Sequence, residues 1–128
     1  MITITNVLNI LQKQSPHWID LVERQSDTWQ VLMPICHPDG DMVEIFISPV
    51  SEDGDVFEIS DCGLTLMKLS YSVDVSKPEK KKVFDKIFFC NNILNDKGEF
   101  YTNANIDELY SAIIRFVGAI LTACSIKI

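Results

Sequence analysis

Apolar residues recur along this chain with two different periods, and the change between them falls inside FEISDCGLTLMKL (57–69). Before that junction Trp29, Val31, Met33 and Ile35 alternate with other positions, as do Val43, Ile45 and Ile47, and then Phe57 and Ile59. Alternation with a period of two marks half-buried strands. The intervening PICHPDGD and SPVSEDGD stretches read as turns, whose Asp-Gly pairs supply the positive φ of a tight reversal. After the junction Leu64, Met67 and Leu69 fit one or two helical turns running to Ser70. A further helix begins at Pro78, a residue suited to the first helical position. Its apolar side carries Val83, Phe84, Ile87 and Phe88, and its lysines face solvent.

The flanks complete the pattern. Thr3 or Thr5 caps a first helix striped by Val7, Leu8 and Leu11, and SPHW (15–18) closes it, because the residue before Pro16 is held away from helix. ILNDKGEFY (93–101) reads as a hairpin turning through Asn95, Asp96, Lys97 and Gly98. Asn105 caps a long last helix, with Asp107 and Glu108 in its first turn, where the helix dipole favours them. Ile106, Leu109, Ile113, Val117, Ile120 and Cys124 form its core-facing side. The order helix, strands, helices, hairpin, helix predicts an α+β fold, a small, mainly antiparallel sheet with an N-terminal helix, central helices and a long C-terminal helix packed on it.

A chain of 128 residues with 47% hydrophobic content fits one domain, 1–128, with a real core. Its four cysteines are widely spaced and form no CxxC pair. MITITNVLNILQK lacks a basic leader and a continuous apolar run, so reduced thiols and a cytoplasmic location are expected. LYSAIIRFVGAILTACSIKI reaches the roughly 20 residues a membrane span needs. Arg115 near its middle would be costly in lipid, so burial by protein is expected and no membrane partner. Apolar nearly all round, this helix also suggests a homodimer formed through it.

Charge is unevenly spread. Residues 25–67 hold nine acidic residues and no Lys or Arg, whereas KPEKKK (77–82) sets four lysines against one glutamate. The acidic half argues against direct nucleic-acid binding, which needs cations on the phosphates. DGDMVEI (39–45) and DGDVFEI (53–59) echo each other, but two short copies are not a repeat architecture. In a hairpin the two turns fall at opposite ends and share no metal ion. Neither continues into a full calcium loop, so no metal and no cofactor are assigned. Parity puts Val43, Ile45, Ile47, Phe57 and Ile59 on the core face and Glu44, Ser48, Glu58 and Ser60 on the other.

The junction itself, Ser60, Asp61, Cys62 and Gly63, admits two readings. As a strand-to-helix turn, Asp61 lies on the core side and accepts from the Gly63 or Leu64 amide, while Gly63 permits unusual dihedrals. As a nucleophile, Cys62 at a helix amino terminus would have a lowered pKa. A cysteine hydrolase also needs a base, and only His17 and His37 exist, both in Pro-flanked loops. The turn is preferred, and no catalytic residue is assigned. Cys36-His37 lacks a second ligand pair for zinc and reads as a buried cysteine beside a turn histidine. No Gly-rich phosphate loop, HExxH or GxSxG is present.

Taken together, PICHPDGDMVEIFISPVSEDGDVFEISDCGLTLMKL resembles the signature region of a bacterial and phage family known only as a domain of unknown function (1828). Pro34, Gly40, Asp41, Ile45, Ile59, Ser60, Asp61, Gly63, Thr65, Leu66 and Leu69 occupy matching positions, and FDKIFFCNNILNDKGEFY with the last helix extends the likeness. The chain departs from the pattern at Cys62 and at SVDVSKPEKK. The resemblance implies a small soluble prokaryotic or phage accessory protein without established chemistry, in which Asp41 and Asp61 sit at the recurring acidic positions.

Two functions follow as expectations. The first is a non-enzymatic interaction module presenting Asp39, Asp41, Glu44, Asp53, Asp55 and Glu58 to a basic partner protein, with mimicry of nucleic-acid charge as a variant. The alternative is a small metal-dependent hydrolase or nuclease-like enzyme holding Mg²⁺ with Asp41, Glu44 and Asp61, although parity sets Glu44 and Asp61 on opposite faces.

Overall fold

The computed structural model describes residues 2–15, 18–70 and 77–125. In chain order these are α1 (Ile4–Gln14), β1 (Asp20–Gln25), β2 (Thr28–Leu32), β3 (Ile45–Pro49), β4 (Val56–Ser60), α2 (Leu64–Ser70) and α3 (Pro78–Cys90). Then come β5 (Leu94–Asp96), β6 (Glu99–Asn105), a 3-10 turn (Ile106–Glu108) and α4 (Leu109–Ser125). The strands make one sheet in the order β1-β2-β3-β4-β6-β5, antiparallel at every pairing. This is the expected α+β architecture.

Local chemistry explains most boundaries. Thr3, not Thr5, caps α1, its Oγ1 accepting from the Asn6 amide at 3.2 Å. The expected closure of α1 at Pro16 and His17 lies outside the described residues. The β5–β6 loop is Lys97-Gly98, both at positive φ (53° and 95°), the geometry that matches strand twist in a two-residue hairpin. β1 was not anticipated from the pattern: DLVERQ buries only Leu21 in an edge strand, so no alternation announces it. It pairs with β2 across a turn in which Asp27 adopts φ 59°.

The start of the last helix corrects one expectation. Asn105 precedes a 3-10 turn and makes no side-chain cap. The Tyr110 amide instead donates to Gln14 Oε1 at 3.1 Å, and Gln14 Nε2 donates to the Ile106 carbonyl at 3.0 Å. A side chain from α1 therefore caps α4. The Ile106 amide is taken by the Asp55 carbonyl at 2.8 Å, so the amides of Ile106 and Tyr110 at this helix end find tertiary acceptors.

The core lies on one face of the sheet. Trp29, Val31, Ile45, Ile47, Phe57, Ile59 and Phe100 meet Val7 and Leu11 of α1, Leu69 of α2, Phe84 and Phe88 of α3 and the buried side of α4 in one cluster. Phe88 stacks on Phe100 with ring centroids 3.9 Å apart. By length and composition Ile106–Ser125 could cross a membrane, but within this fold α4 buries eight residues, among them Ile113, Phe116, Val117 and Ile120. The opposite sheet face contributes nothing to this cluster.

Candidate functional site

The SDCG junction is a hydrogen-bonded clamp built on Asp61, which is wholly buried. Its Oδ1 accepts from the amides of Gly63 (2.9 Å) and Phe100 (2.9 Å), and its Oδ2 from Thr65 (3.1 Å). The Leu64 amide, one of the two expected donors, goes to the Asp61 carbonyl instead (3.1 Å). The Asp61 amide donates to the Phe100 carbonyl, also at 3.1 Å. One carboxylate thus starts α2 and fastens it to β6. Both oxygens are engaged by amides, a satisfied state for a buried anion. Gly63 sits at φ 81° and Cys62 at φ 52°, so the chain reverses through two left-handed residues.

Cys62 does not carry the depressed pKa that a helix amino terminus suggests. The residue is exposed, but its thiol turns toward Ser60 Oγ at 4.0 Å. Partial desolvation raises its pKa, and Glu99, Asp61 and Glu58 add to the effect. Ser60, expected on a solvated face, is buried: its Oγ donates to Glu99 Oε1 at 2.6 Å and accepts from the Cys62 amide at 3.0 Å. Sequence gave no hint of Glu99, which lies 39 residues downstream and arrives only through the β4–β6 register.

The open sheet face is read from that register. One row crosses all six strands as Val22, Gln30, Phe46, Ser60, Tyr101 and Leu94. Gln30 is buried and accepts from Arg24 Nε at 2.7 Å. Phe46 and Tyr101 are half-buried, and Leu94 is 54% exposed. Glu58 sits one row away, and burial followed by the Glu99 charge raises its pKa. Among the described residues neither Glu58 nor Glu99 has a cation within ion-pair distance.

A cleft of about 640 Å³ lies between the 37–44 loop, α2 and α4. Asp39 Oδ1 accepts the Asp41 amide (3.0 Å), and Asp53 repeats the motif with Asp55 (3.2 Å), so the two DGD copies are the same Asx turn. At the cleft, Lys68 Nζ donates to Asp39 Oδ2 (2.6 Å) and Asp41 Oδ2 (3.1 Å). This hydrogen bond from Lys68 is the main cause holding the Asp39 carboxyl below its ordinary range. His37 also lines the cleft. In place of the expected buried cysteine beside a turn histidine, His37 is the buried residue, at 7% exposure, and Cys36 is exposed. The inward alternation of Val31, Met33 and Ile35 continues to His37, which explains the exchange. Burial and then Lys68 lower the His37 pKa, and its Nδ1 has no hydrogen-bond partner among the described residues.

The structure therefore places the six candidate interaction carboxylates in three locations. Asp39, Asp41 and Glu44 lie along the cleft loop, Asp53 and Asp55 at the β3–β4 turn, and Glu58 on the open face. Asp41, Glu44 and Asp61 do not converge: Asp61 is buried in its clamp, Asp41 is exposed beside Lys68, and Glu44 is exposed on the loop. No group of three metal-ligating side chains is assembled among the described residues.

The sequence profile of the family described as domain of unknown function DUF1828 matches residues 33–122. The chain belongs to this family. In this DUF1828 protein the matched span runs from Met33 to Thr122 and contains the cleft lining except Cys124, the Asp61 clamp and strands β3 to β6, leaving α1, β1 and β2 outside it. No curated protein and no solved structure matches the chain.

Proposed function

We propose that this DUF1828 protein is a non-enzymatic interaction module that docks a basic partner protein on its open sheet face. The observation that carries the reading is two carboxylates on this face, Glu58 and, hydrogen-bonded to Ser60 two residues along β4, Glu99, which repel each other and have no cation within ion-pair distance among the described residues. An Arg or Lys from a partner would relieve that repulsion, and Phe46 and Tyr101 supply the apolar and aromatic area that anchors interfaces. Asp39 and Asp41 are already paired with Lys68, which shifts the centre of the surface from the DGD turns to Glu58. Where the partner is itself a nucleic-acid-binding protein, the same carboxylates compete with phosphate for its basic side chains. A homodimer through α4 has Ile114, at 36% exposure, and half-buried Leu121 to draw on.

The test is capture from native host lysate with wild-type protein and with Glu58→Lys, each confirmed folded by circular dichroism. The captured protein is then purified and titrated calorimetrically at two salt concentrations. A basic protein held by the wild type, lost from Glu58→Lys and weakened by salt supports the reading. Equal capture by both baits, or an acidic partner, overturns it.

A further inference from the structure

The cleft beside the 37–44 loop is independent of the open sheet face and has the anatomy of a small-molecule site. Its volume of about 640 Å³ lies within the usual range for ligand pockets, roughly 300–1,000 Å³. Met42, Leu64, Met67 and Ile120 give it an apolar body, and methionine adapts readily to irregular shapes. Three of its charged groups meet at one point of the wall. Asp39 and Asp41 present one carboxylate oxygen each to a single ammonium, that of Lys68. Two carboxylates against one ammonium leave an excess of one negative charge. His37 adds no compensating charge at neutral pH, because burial lowers its pKa.

His37 supplies a second, independent pointer. The residue is 7% exposed, forms part of the cleft wall, and its Nδ1 has no hydrogen-bond partner among the described residues. A buried polar atom left without a partner is costly. In a neutral imidazole whose other nitrogen carries the proton, Nδ1 is an acceptor. The cleft thus joins the Asp39 and Asp41 acceptors to a wall that holds the buried, unpartnered Nδ1 of His37, suited to a group rich in N–H donors.

We propose that this cleft binds a small apolar molecule bearing one ammonium group, whose head takes the place between Asp39 and Asp41 that Lys68 Nζ fills in its absence. Lys68 acts as an intramolecular stand-in for the ligand cation until it is displaced. The apolar body of the ligand lies against Met42, Leu64, Met67 and Ile120.

Octylammonium is the probe and octanoate its charge-reversed control, each titrated at neutral pH and followed by amide chemical shifts of the intact chain. Octylammonium should saturate and move the amides of 37–44 and 64–69, with octanoate giving no saturable shift. In Asp39→Asn/Asp41→Asn the affinity should fall by about three- to thirtyfold, two exposed charge pairs being lost. Asn keeps the acceptor that holds the turn, so this variant retains the loop. Lys68→Met, which removes the competing cation, should bind octylammonium more tightly than wild type. Octanoate binding as well as octylammonium would reduce the cleft to an unselective apolar hollow and overturn the proposal. Unchanged affinity in the double Asn variant, weaker binding in Lys68→Met, or no saturable binding would do the same.

Discussion

Asp61 accepts the backbone N–H of Phe100 at 2.9 Å, joining two residues 39 positions apart inside the core. The same carboxylate holds the amides of Gly63 and Thr65. It therefore couples the strand-to-helix reversal to the β6 strand through one side chain.

Removing that side chain should be among the most damaging single changes outside the apolar core. Asp61→Ala leaves three amides without an acceptor, at ~1–3 kcal/mol each, partly offset by no longer burying a charge, for a net loss of about 3–5 kcal/mol. Asp61→Asn keeps one acceptor oxygen but sets its NH₂ against an amide donor, so an intermediate loss of roughly 1–3 kcal/mol is expected. Urea unfolding monitored by circular dichroism measures both. Equal, small shifts in midpoint would mean that the clamp is dispensable.

Glu58 should make stability fall as pH rises. Burial and the Glu99 charge raise its pKa in the folded state above the ordinary 4.5, so the folded chain holds that proton more tightly than the unfolded one. The penalty is absent well below 4.5 and grows as pH climbs past it. Glu58→Gln should accordingly raise the melting temperature at pH 7–8 and leave it unchanged near pH 4. A gain of equal size at both pH values would point to packing rather than charge.

His37 has the opposite sign. Its folded pKa is lowered, mainly by burial and then by Lys68, from the ordinary 6.5. Its contribution is therefore fully present above 6.5 and is lost as pH falls through 6.5 toward the folded value. Melting temperatures between pH 7.5 and 5.5 should decline in the wild type and decline less in His37→Gln, whatever the absolute stability of that variant. Parallel profiles would show that the ring is not the titrating group.

The cysteines should divide by environment. Desolvation raises the thiol pKa of Cys62 and of Cys124, which is half-buried. Cys36 and Cys90 are exposed. Timed alkylation with iodoacetamide at pH 8, read by peptide mass spectrometry, should modify Cys36 and Cys90 before Cys62 and Cys124, since the thiolate is the reactive form. Fastest labelling at Cys62 would restore the reading of that residue as a nucleophile.

Local periodicity determined a good deal of this protein. The alternation at 29–35, 43–47 and 57–59, the helical spacing after 64 and 78, and the Asp-Gly and Lys-Gly turns each depend on neighbours within a few residues, and strands, helices and turns form there, although β2 ends at Leu32 and β3 begins at Ile45, so that Met33 and Val43 are buried outside any strand. The inward placement of Asp61 follows from the same parity. β1 escaped because an edge strand with one buried residue has no pattern to show. What only the tertiary structure decided are the partners that cross the chain: Gln14 on the first turn of α4, Glu99 on Ser60, Phe100 on Asp61, and Lys68 on Asp39 and Asp41. Each forms because sheet register or helix packing brings together groups 27 to 96 residues apart. A hydrogen bond's few ångströms of reach leave no trace of such meetings in the order of the residues.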